Sequence, residues 1–302
     1  MFRVDKYKKM KTKSWIKRNA RPLEIARWEF LFENGSKERV IHYLSAFQNS
    51  DGGFGHGLEP DLWLPQSSAI ATWAAAQILI EVQAEPNEEI VRLILKYLIN
   101  SYDEEMGLWK TVIPEHNNYP HAPHWHFEEG VQDNWMFNPS AELAAFLIYW
   151  APDGSEEANL GWKVVEKAKM HLLNSNGMDF HEINNYQNLI RILGDKLNPL
   201  QEMEEKVDSL AEKVIDINPE SWGKSYKALP LDLIHSKKDK LYEKYKDLVD
   251  ENIRYLERSL KDDGVWDITW DWEEDPEHFF VAKQQWKGIL AVNNYKKLRN
   301  FL

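Results

Sequence analysis

The sequence predicts an all-α protein folded as an α/α toroid, in which about six helical hairpins supply an inner and an outer layer of helices. Three observations favour this fold. A glycine–aromatic motif recurs along the chain, apolar helical segments alternate with more charged ones, and strand patterns are sparse. Because 302 residues are enough for one domain of this kind, residues 1–302 are interpreted as a single toroid.

The repeated motif is a Tyr-Leu pair, then a glycine nine or ten residues after the tyrosine, then an aromatic residue two positions further on. Each copy predicts the end of a helix, a glycine with positive φ, and an aromatic side chain that folds back onto the helices. The three copies are Tyr43, Gly52 and Phe54; Tyr97, Gly107 and Trp109; and Tyr255, Gly264 and Trp266.

Two sets of segments have helical periodicity, and they alternate along the chain. The more apolar set is predicted to form the inner helices at 22–32, 67–82, 140–150, 185–193, 225–234 and 277–295. The more charged set is predicted to form the outer helices at 37–48, 87–101, 160–174, 200–217 and 239–260, with either 4–18 or 293–302 as the sixth.

Positions 48–54 have the sequence QNSDGGF, which places a glutamine, a glycine and an aromatic residue at the spacing Q-x-x-x-G-x-aromatic. This string resembles the repeat of the terpenoid cyclase and protein prenyltransferase superfamily. The resemblance implies an α/α toroid with chemistry in a central cavity, at one mouth of the barrel. The Asp-x-Asp-Asp acid motif of triterpene cyclases is absent, and without cysteine the zinc ligand set of the prenyltransferases is absent too.

The amino-acid composition indicates which binding partners and which cellular location to expect. A formal charge of −12 disfavours general binding to nucleic acid. The most apolar stretch, 69–82, is too short to cross a membrane, and no signal-peptide pattern follows the basic first residues. The chain has no cysteine, which is compatible with a reducing compartment. We therefore expect a cytoplasmic protein without a membrane span, and no cofactor is predicted.

The segment 55–65 follows the best copy of the motif and precedes the first long inner helix, so we expect it at the mouth of the barrel. Glu59 and Asp61 alternate along a stretch stiffened by Pro60, and they are predicted catalytic residues acting as acid and base. His56 and Trp63 flank them as predicted ligand-binding residues. The alternative is a structural turn whose carboxylates cap the next helix or pair with a lysine.

A long insertion at 114–137 carries four of the ten histidines. Loops of this length are usually functional or disordered, and this one is interpreted as a ligand-facing lid. There are two alternatives: a site in which His124, His126 and Asp133 chelate a metal ion, and a loop that is merely packed. We predict that no metal is bound. The residues predicted to bind ligand are His124, Trp125, His126, Asp133 and Trp135.

A third cluster follows Gly264, where tryptophans alternate with acidic residues. In extended backbone this alternation puts aromatic rings on one side and carboxylates on the other, as in sites for sugar rings or hydrophobic cations. Asp267 and Asp271 are predicted catalytic residues, and Trp270 a predicted ligand-binding residue. The alternative is an aromatic wedge inside the repeat turn, with solvated acids outside.

Three functions remain open at this stage. The first is an enzyme of the terpenoid cyclase and prenyltransferase type that acts on an isoprenoid with acidic residues in an aromatic cavity. The second is a carbohydrate-active hydrolase or lyase, because α/α barrels commonly carry such sites. The third is a non-catalytic binding protein. Motifs of serine hydrolases, P-loop proteins and dinucleotide-binding enzymes are absent.

Overall fold

The computed structural model describes residues 6–272 and 275–301. This part of the chain contains α-helices and short 3₁₀-helices, and its only β interactions are isolated bridges, which confirms the all-α prediction. The α-helices are α1 (Lys6–Asn19), α2 (Pro22–Phe32), α3 (Lys37–Ser45), α4 (Ala69–Glu81), α5 (Glu89–Ser101), α6 (Ser140–Trp150), α7 (Glu156–Asn174), α8 (Phe180–Leu193), α9 (Leu200–Val214), α10 (Pro230–Leu233), α11 (Lys240–Ser259) and α12 (Pro276–Arg299).

Most predicted helices occur within a few residues of their expected bounds, and two predictions are wrong. Segment 225–234 is helical only at 230–233, because Pro230 starts the helix and the preceding Leu229 is extended, as residues before proline usually are. Segment 293–302 is not a separate helix, since α12 continues to Arg299. The sixth charged helix is therefore α1, although positions 4, 5 and 302 of these two segments lie outside the described residues.

The chain divides into two compact units. One comprises Leu44–Lys213, here called the central unit, and the other comprises Met1–Tyr43 with Val214–Leu302, here called the terminal unit. In the central unit α6 contacts α4, α5, α7 and α8, and its side chains are buried along nearly its whole length. In the terminal unit α2 contacts α1 and α12. No helix of the described residues is both long and apolar enough to cross a membrane.

The glycines of the repeat adopt the backbone conformation that the motif predicts. The φ angles of Gly52, Gly107 and Gly264 are +97°, +75° and +96°, in the left-handed region that disfavours other residues. At Gly52 the chain also passes close to α5, since a Cβ built there would lie 2.1 Å from the carbonyl oxygen of Leu93. This glycine is needed for both its φ angle and its small size.

The aromatic residue of each copy is buried, and in two copies it ties the turn to the helix before it. Phe54 and Trp109 are 0% exposed and Trp266 is 5% exposed. The indole nitrogen of Trp109 donates to the carbonyl oxygen of Leu98 at 2.8 Å, and that of Trp266 donates to Leu256 at 2.8 Å. These bonds satisfy carbonyl groups that the end of a helix leaves unpaired.

Replacing Gly52 with alanine is expected to destabilise the protein by at least about 2 kcal/mol, because strained φ and a clash with rigid backbone add. Gly130→Ala is the matched control, since Gly130 has a φ of +86° but a methyl group added there would meet nothing within 4 Å. Urea unfolding of both variants measures the difference. Equal losses of stability in the two variants would contradict the close approach of α5 to this turn.

Candidate functional site

Two of the three segments that carry predicted site residues are hydrogen-bonded to each other. Leu62 and His121 form an antiparallel bridge, the amide of Trp63 donates to Pro120 at 3.0 Å, and the amide of Ala122 donates to Asp61 at 2.8 Å. Segments 55–65 and 114–138 therefore form one structure, here called the loop pair. The third segment, 266–276, belongs to the terminal unit, and its positions 273 and 274 lie outside the described residues.

In the first segment the acidic side chains are buried while their flanking residues are more accessible. Glu59 is 9% exposed and Asp61 2% exposed. His56 is exposed, with its Nε2 2.8 Å from the side-chain oxygen of Asn49, and the half-buried Trp63 donates its indole N–H to Pro60 at 3.0 Å. The two carboxylates are thus withdrawn from water, as acid and base groups of a site often are.

The N-cap position of α4 is occupied by a serine and not by either carboxylate. The N-cap of α4 is Ser68, whose hydroxyl accepts a hydrogen bond from the amide of Ala71 at 3.2 Å. A serine in this position satisfies the first turn of a helix without help from an acid.

The second segment brings aromatic rings together. Trp125 is buried and stacks on the half-buried Trp135, with ring centroids 4.7 Å apart and planes inclined by 11°. His124 contacts both, at centroid distances of 4.8 Å from Trp125 and 6.5 Å from Trp135. Asp133, two residues before Trp135 in the chain, is exposed. The result is a stack of aromatic rings, here called the aromatic platform, in a segment that has short 3₁₀-helices but no α-helix.

The alternative of a metal chelated by His124, His126 and Asp133 is not supported by the geometry. His126 instead faces His121, with Nδ1 and Nε2 3.2 Å apart, and the Nδ1 of His121 lies 2.6 Å from the carbonyl oxygen of Tyr119. Among residues 6–272 and 275–301, no group of three or more histidine and acidic side chains has metal-binding geometry. The loop histidines are ordered mainly by one another and by backbone carbonyls.

His116 is a fully buried member of the same segment. Its Nδ1 lies 3.1 Å from the carbonyl oxygen of Trp125, and burial lowers the pKa of its imidazole to about 4. In the described part of the chain, neither the Nε2 of His116 nor the indole N–H of Trp125 has a hydrogen-bond partner. The imidazole is therefore neutral at pH 7, with Nδ1 as the N–H donor.

His116 predicts a loss of stability in acid. Because its folded pKa lies below the ordinary value of 6.5, the unfolded state binds more protons, and stability falls as the pH falls from 6.5 towards about 4. Between neutral pH and pH 4.5 we expect the loss to be about 2 kcal/mol, at 1.36 kcal/mol per pKa unit. Urea unfolding of His116→Gln should lack this part of the pH dependence. Parallel curves for the wild type and the variant would contradict the buried neutral imidazole.

The sequence analysis missed a buried carboxyl group of the central unit, that of Glu142 in the first turn of α6. Glu142 is 2% exposed. Its oxygens accept hydrogen bonds from the indole of Trp73 at 2.7 Å, from the amide of Gln77 at 3.1 Å, and from the amide of Asn188 at 3.1 Å. These four residues, here called the Glu142 cluster, join α4, α6 and α8.

Burial raises the pKa of Glu142 to about 7, against the hydrogen bonds from Trp73, Asn188 and Gln77 and the charge of Arg191, which favour the ionised form. The position in the first turn of α6 also favours a negative charge, because the N-terminal end of a helix is partially positive. Near neutral pH both protonation states are then populated. This is the property required of a general acid or base.

The sequence contains a signal for this residue. In the segment SAELAAFLIYW, which forms α6, Glu142 is the only ionisable side chain apart from a tyrosine, and it lies on a helix that is otherwise apolar on all sides. Buried glutamates are rare unless they are paired. On α4, Trp73 and Gln77 are four residues apart and therefore share a face.

The loop pair lies at the N-terminal ends of the helices that carry the Glu142 cluster. Segment 114–138 leads directly into α6, and segment 55–65 leads into α4. At the start of α8, Glu182 accepts the amide of Phe137 at 3.1 Å, and Asn185 donates to the side-chain oxygen of Asn138 at 2.9 Å. Glu142, in the first turn of α6, thus follows segment 114–138 directly in the chain, whereas Gln77 and Asn188 lie further along α4 and α8.

In the terminal unit, burial alternates along the third segment as the extended pattern predicts. Trp270 is half-buried against Trp286 and Tyr226, at centroid distances of 5.3 Å and 5.7 Å, whereas Asp267 and Asp271 are exposed.

Asp267 lies 3.1 Å from the Lys283 ammonium. Its partial burial raises its pKa, but the hydrogen bond and charge of Lys283, with the charge of Lys287, outweigh this and lower the pKa below its ordinary value. Asp267 is therefore a stable carboxylate.

Comparison of the chain with protein-family models, with curated proteins and with solved structures found no match.

Proposed function

We propose that this protein is an acid–base enzyme that binds a polar, ring-shaped ligand of the carbohydrate class beside the Glu142 cluster, between α4, α6 and α8. The observation that carries the proposal is the hydrogen bonding of the buried Glu142 by donors from two facing helices. Those donors, Trp73, Gln77 and Asn188, are only half-buried themselves. A ligand that contacts them is therefore close to the carboxyl group that transfers the proton.

The chemistry of the surrounding side chains favours sugars over hydrocarbons. Side-chain amides and indole N–H groups bind hydroxyl groups, and stacked tryptophans such as Trp125 and Trp135 bind the apolar faces of sugar rings. Glycoside chemistry uses two carboxyl groups, one with a raised pKa. In this proposal Glu142 is the acid, and Glu59 or Asp61 supplies the second carboxyl group, with His56, Trp63, His124, His126 and Asp133 as further ligand contacts.

An isoprenoid substrate is the second candidate, in keeping with a toroid of the terpenoid cyclase and prenyltransferase type. Its support is Glu142, whose pKa is raised by burial, together with the aromatic platform. A single toroid over residues 1–302 and a cavity at its centre are part of this proposal, as is a cytoplasmic location. Alternation of apolar and charged helices and the three repeat turns support the toroid.

The test is a thermal-shift and turnover screen of the wild type against oligosaccharides, their aryl glycosides and isoprenoid diphosphates. We expect binding and turnover of a glycoside. Glu142→Gln is expected to retain binding and to lose at least about 100-fold in turnover, the usual contribution of a general acid. Turnover of an isoprenoid alone would favour the second candidate. Ligand binding without any turnover would contradict an enzyme and favour the third function, a non-catalytic binding protein.

A further inference from the structure

A surface groove lies between α1 and α2 in the terminal unit, and the proposed function makes no use of it. Its volume is about 220 Å³. An apolar cavity of about 150 Å³ binds benzene, so this groove has room for one ring or a short acyl chain. Its lining includes Lys6, Lys9, Met10, Lys13, Trp28 and Phe32.

The groove is positively charged although the protein is acidic. Helix α1 has the sequence KYKKMKTKSWIKRN, with seven basic residues and no acidic one, in a chain of formal charge −12. Among the described residues, neither Lys6 nor Lys9 forms an ion pair, and the ammonium group of Lys9 lies 5.0 Å from the ring centroid of Phe32. Both ammonium groups therefore remain available to an anion.

Among the described residues that line the groove, the acidic one, Glu33, already has its charge compensated. Glu33 lies 3.2 Å from the ammonium of Lys13 and 3.4 Å from that of Lys17, and it accepts the indole N–H of Trp28 at 2.7 Å. Burial raises its pKa, but these hydrogen bonds and charges outweigh that effect and keep the pKa below its ordinary value. Glu33 thus does not cancel the charge of Lys6 and Lys9.

The apolar floor of the groove is also exposed in part. Met10 is 55% exposed, and Phe32 is half-buried, with the guanidinium carbon of Arg299 5.6 Å from its ring centroid. Trp28 is fully buried beneath and packs edge-on against Tyr295, so the floor is rigid. A rigid apolar floor with cations at its rim complements a ligand that has an apolar body and an anionic head.

We propose that this groove is a second binding site, for a small monomeric amphiphile with an anionic head. Its carboxylate or phosphate pairs with Lys6 and Lys9, and its ring or short acyl chain contacts Met10 and Phe32. The concave shape and small volume favour a single free molecule over a lipid bilayer, which would contact a broad flat face. This site is separate from the Glu142 cluster in both residues and chemistry.

The test is calorimetric titration of the full chain with octanoate and octyl phosphate, with octanol and octyltrimethylammonium as neutral and cationic probes. We expect binding of the two anions only. Lys6→Glu with Lys9→Glu should weaken it at least tenfold, whereas the same charge change at Lys237 and Lys238, two exposed residues elsewhere in the terminal unit, should not. Met10→Ser should weaken the binding of octanoate without altering the stability of the fold.

Each contrary outcome is decisive. Equal binding of octanol, or equal weakening by the Lys237 and Lys238 variant, would overturn the proposal of an anion-selective site. Binding to vesicles that contain anionic phospholipid, with no binding of the monomeric anions, would show a membrane contact instead. Glycoside turnover in the groove variants should match the wild type, so that failure of this site is distinguishable from failure of the proposed function.

Discussion

Replacing Glu142 with glutamine is expected to remove a large pH-dependent contribution to the stability of the protein near neutral pH. The folded pKa of about 7 exceeds the ordinary value of 4.5, so between these values the folded state binds more protons than the unfolded state. The stability contributed by protonated Glu142 is fully present below pH 4.5 and is lost as the pH rises through 7. From pH 4 to pH 8 this loss amounts to about 3 kcal/mol.

Glutamine is the right substitution because it keeps the hydrogen bonds. The side-chain carbonyl oxygen of the new glutamine can accept hydrogen bonds from Trp73 and Asn188. Its NH₂ group can donate to the side-chain oxygen of Gln77 once the Gln77 amide has flipped by about 180°. Urea unfolding at several pH values should show that the stability of the variant relative to the wild type rises with pH. A difference that is constant with pH would mean that the carboxyl group has no raised pKa.

Replacing Trp109 with alanine is expected to destabilise the protein by about 3–5 kcal/mol, the usual cost of truncating a buried large aromatic residue. Trp109 is 0% exposed, and its indole bonds the Leu98 carbonyl oxygen. Its amide also donates to the hydroxyl of Ser140 at 3.0 Å, at the first residue of α6. The variant therefore loses packing and the tie between the turn and α5.

Trp63→Ala is the matched control for this substitution. Trp63 also donates its indole N–H to a backbone carbonyl oxygen, that of Pro60, but it is only half-buried. Chemical unfolding should show less than half the loss found for Trp109→Ala. An equal loss in both variants would contradict the role of the repeat aromatic as a buried anchor of the fold.

The fold was predictable where a local rule determines structure. Gly52, Gly107 and Gly264 mark turns because a left-handed backbone excludes most side chains, and the aromatic residue two positions later is buried because it covers the end of the helix. The prediction of a helix over 225–234 failed because an apolar segment of this length is compatible with either a helix or a buried extended strand. Around Ala228 the segment is extended, and the carbonyl oxygen of Ala228 accepts a hydrogen bond from the amide of Asp216.

The candidate site was predicted less completely. The start of a helix soon after segment 55–65 was predicted, but the bonds of this segment to segment 114–138 and the partners of His121 and His126 depend on folded geometry that spacing does not determine. Glu142 was not predicted because it is a single acid among apolar residues and belongs to no cluster of polar residues in the sequence. Its value as a candidate comes from Trp73 and Asn188, which are 69 and 46 residues away in sequence.

The most direct test of the account is a pH titration of the glutamate side-chain carboxyl carbons by NMR, with the resonance of Glu142 identified by its absence from Glu142→Gln. We predict that this resonance titrates with a midpoint near pH 7 and shifts when a glycoside ligand is added. A midpoint near the ordinary glutamate value of about 4.3, unaffected by ligand, would contradict the assignment of Glu142 as the acid–base residue.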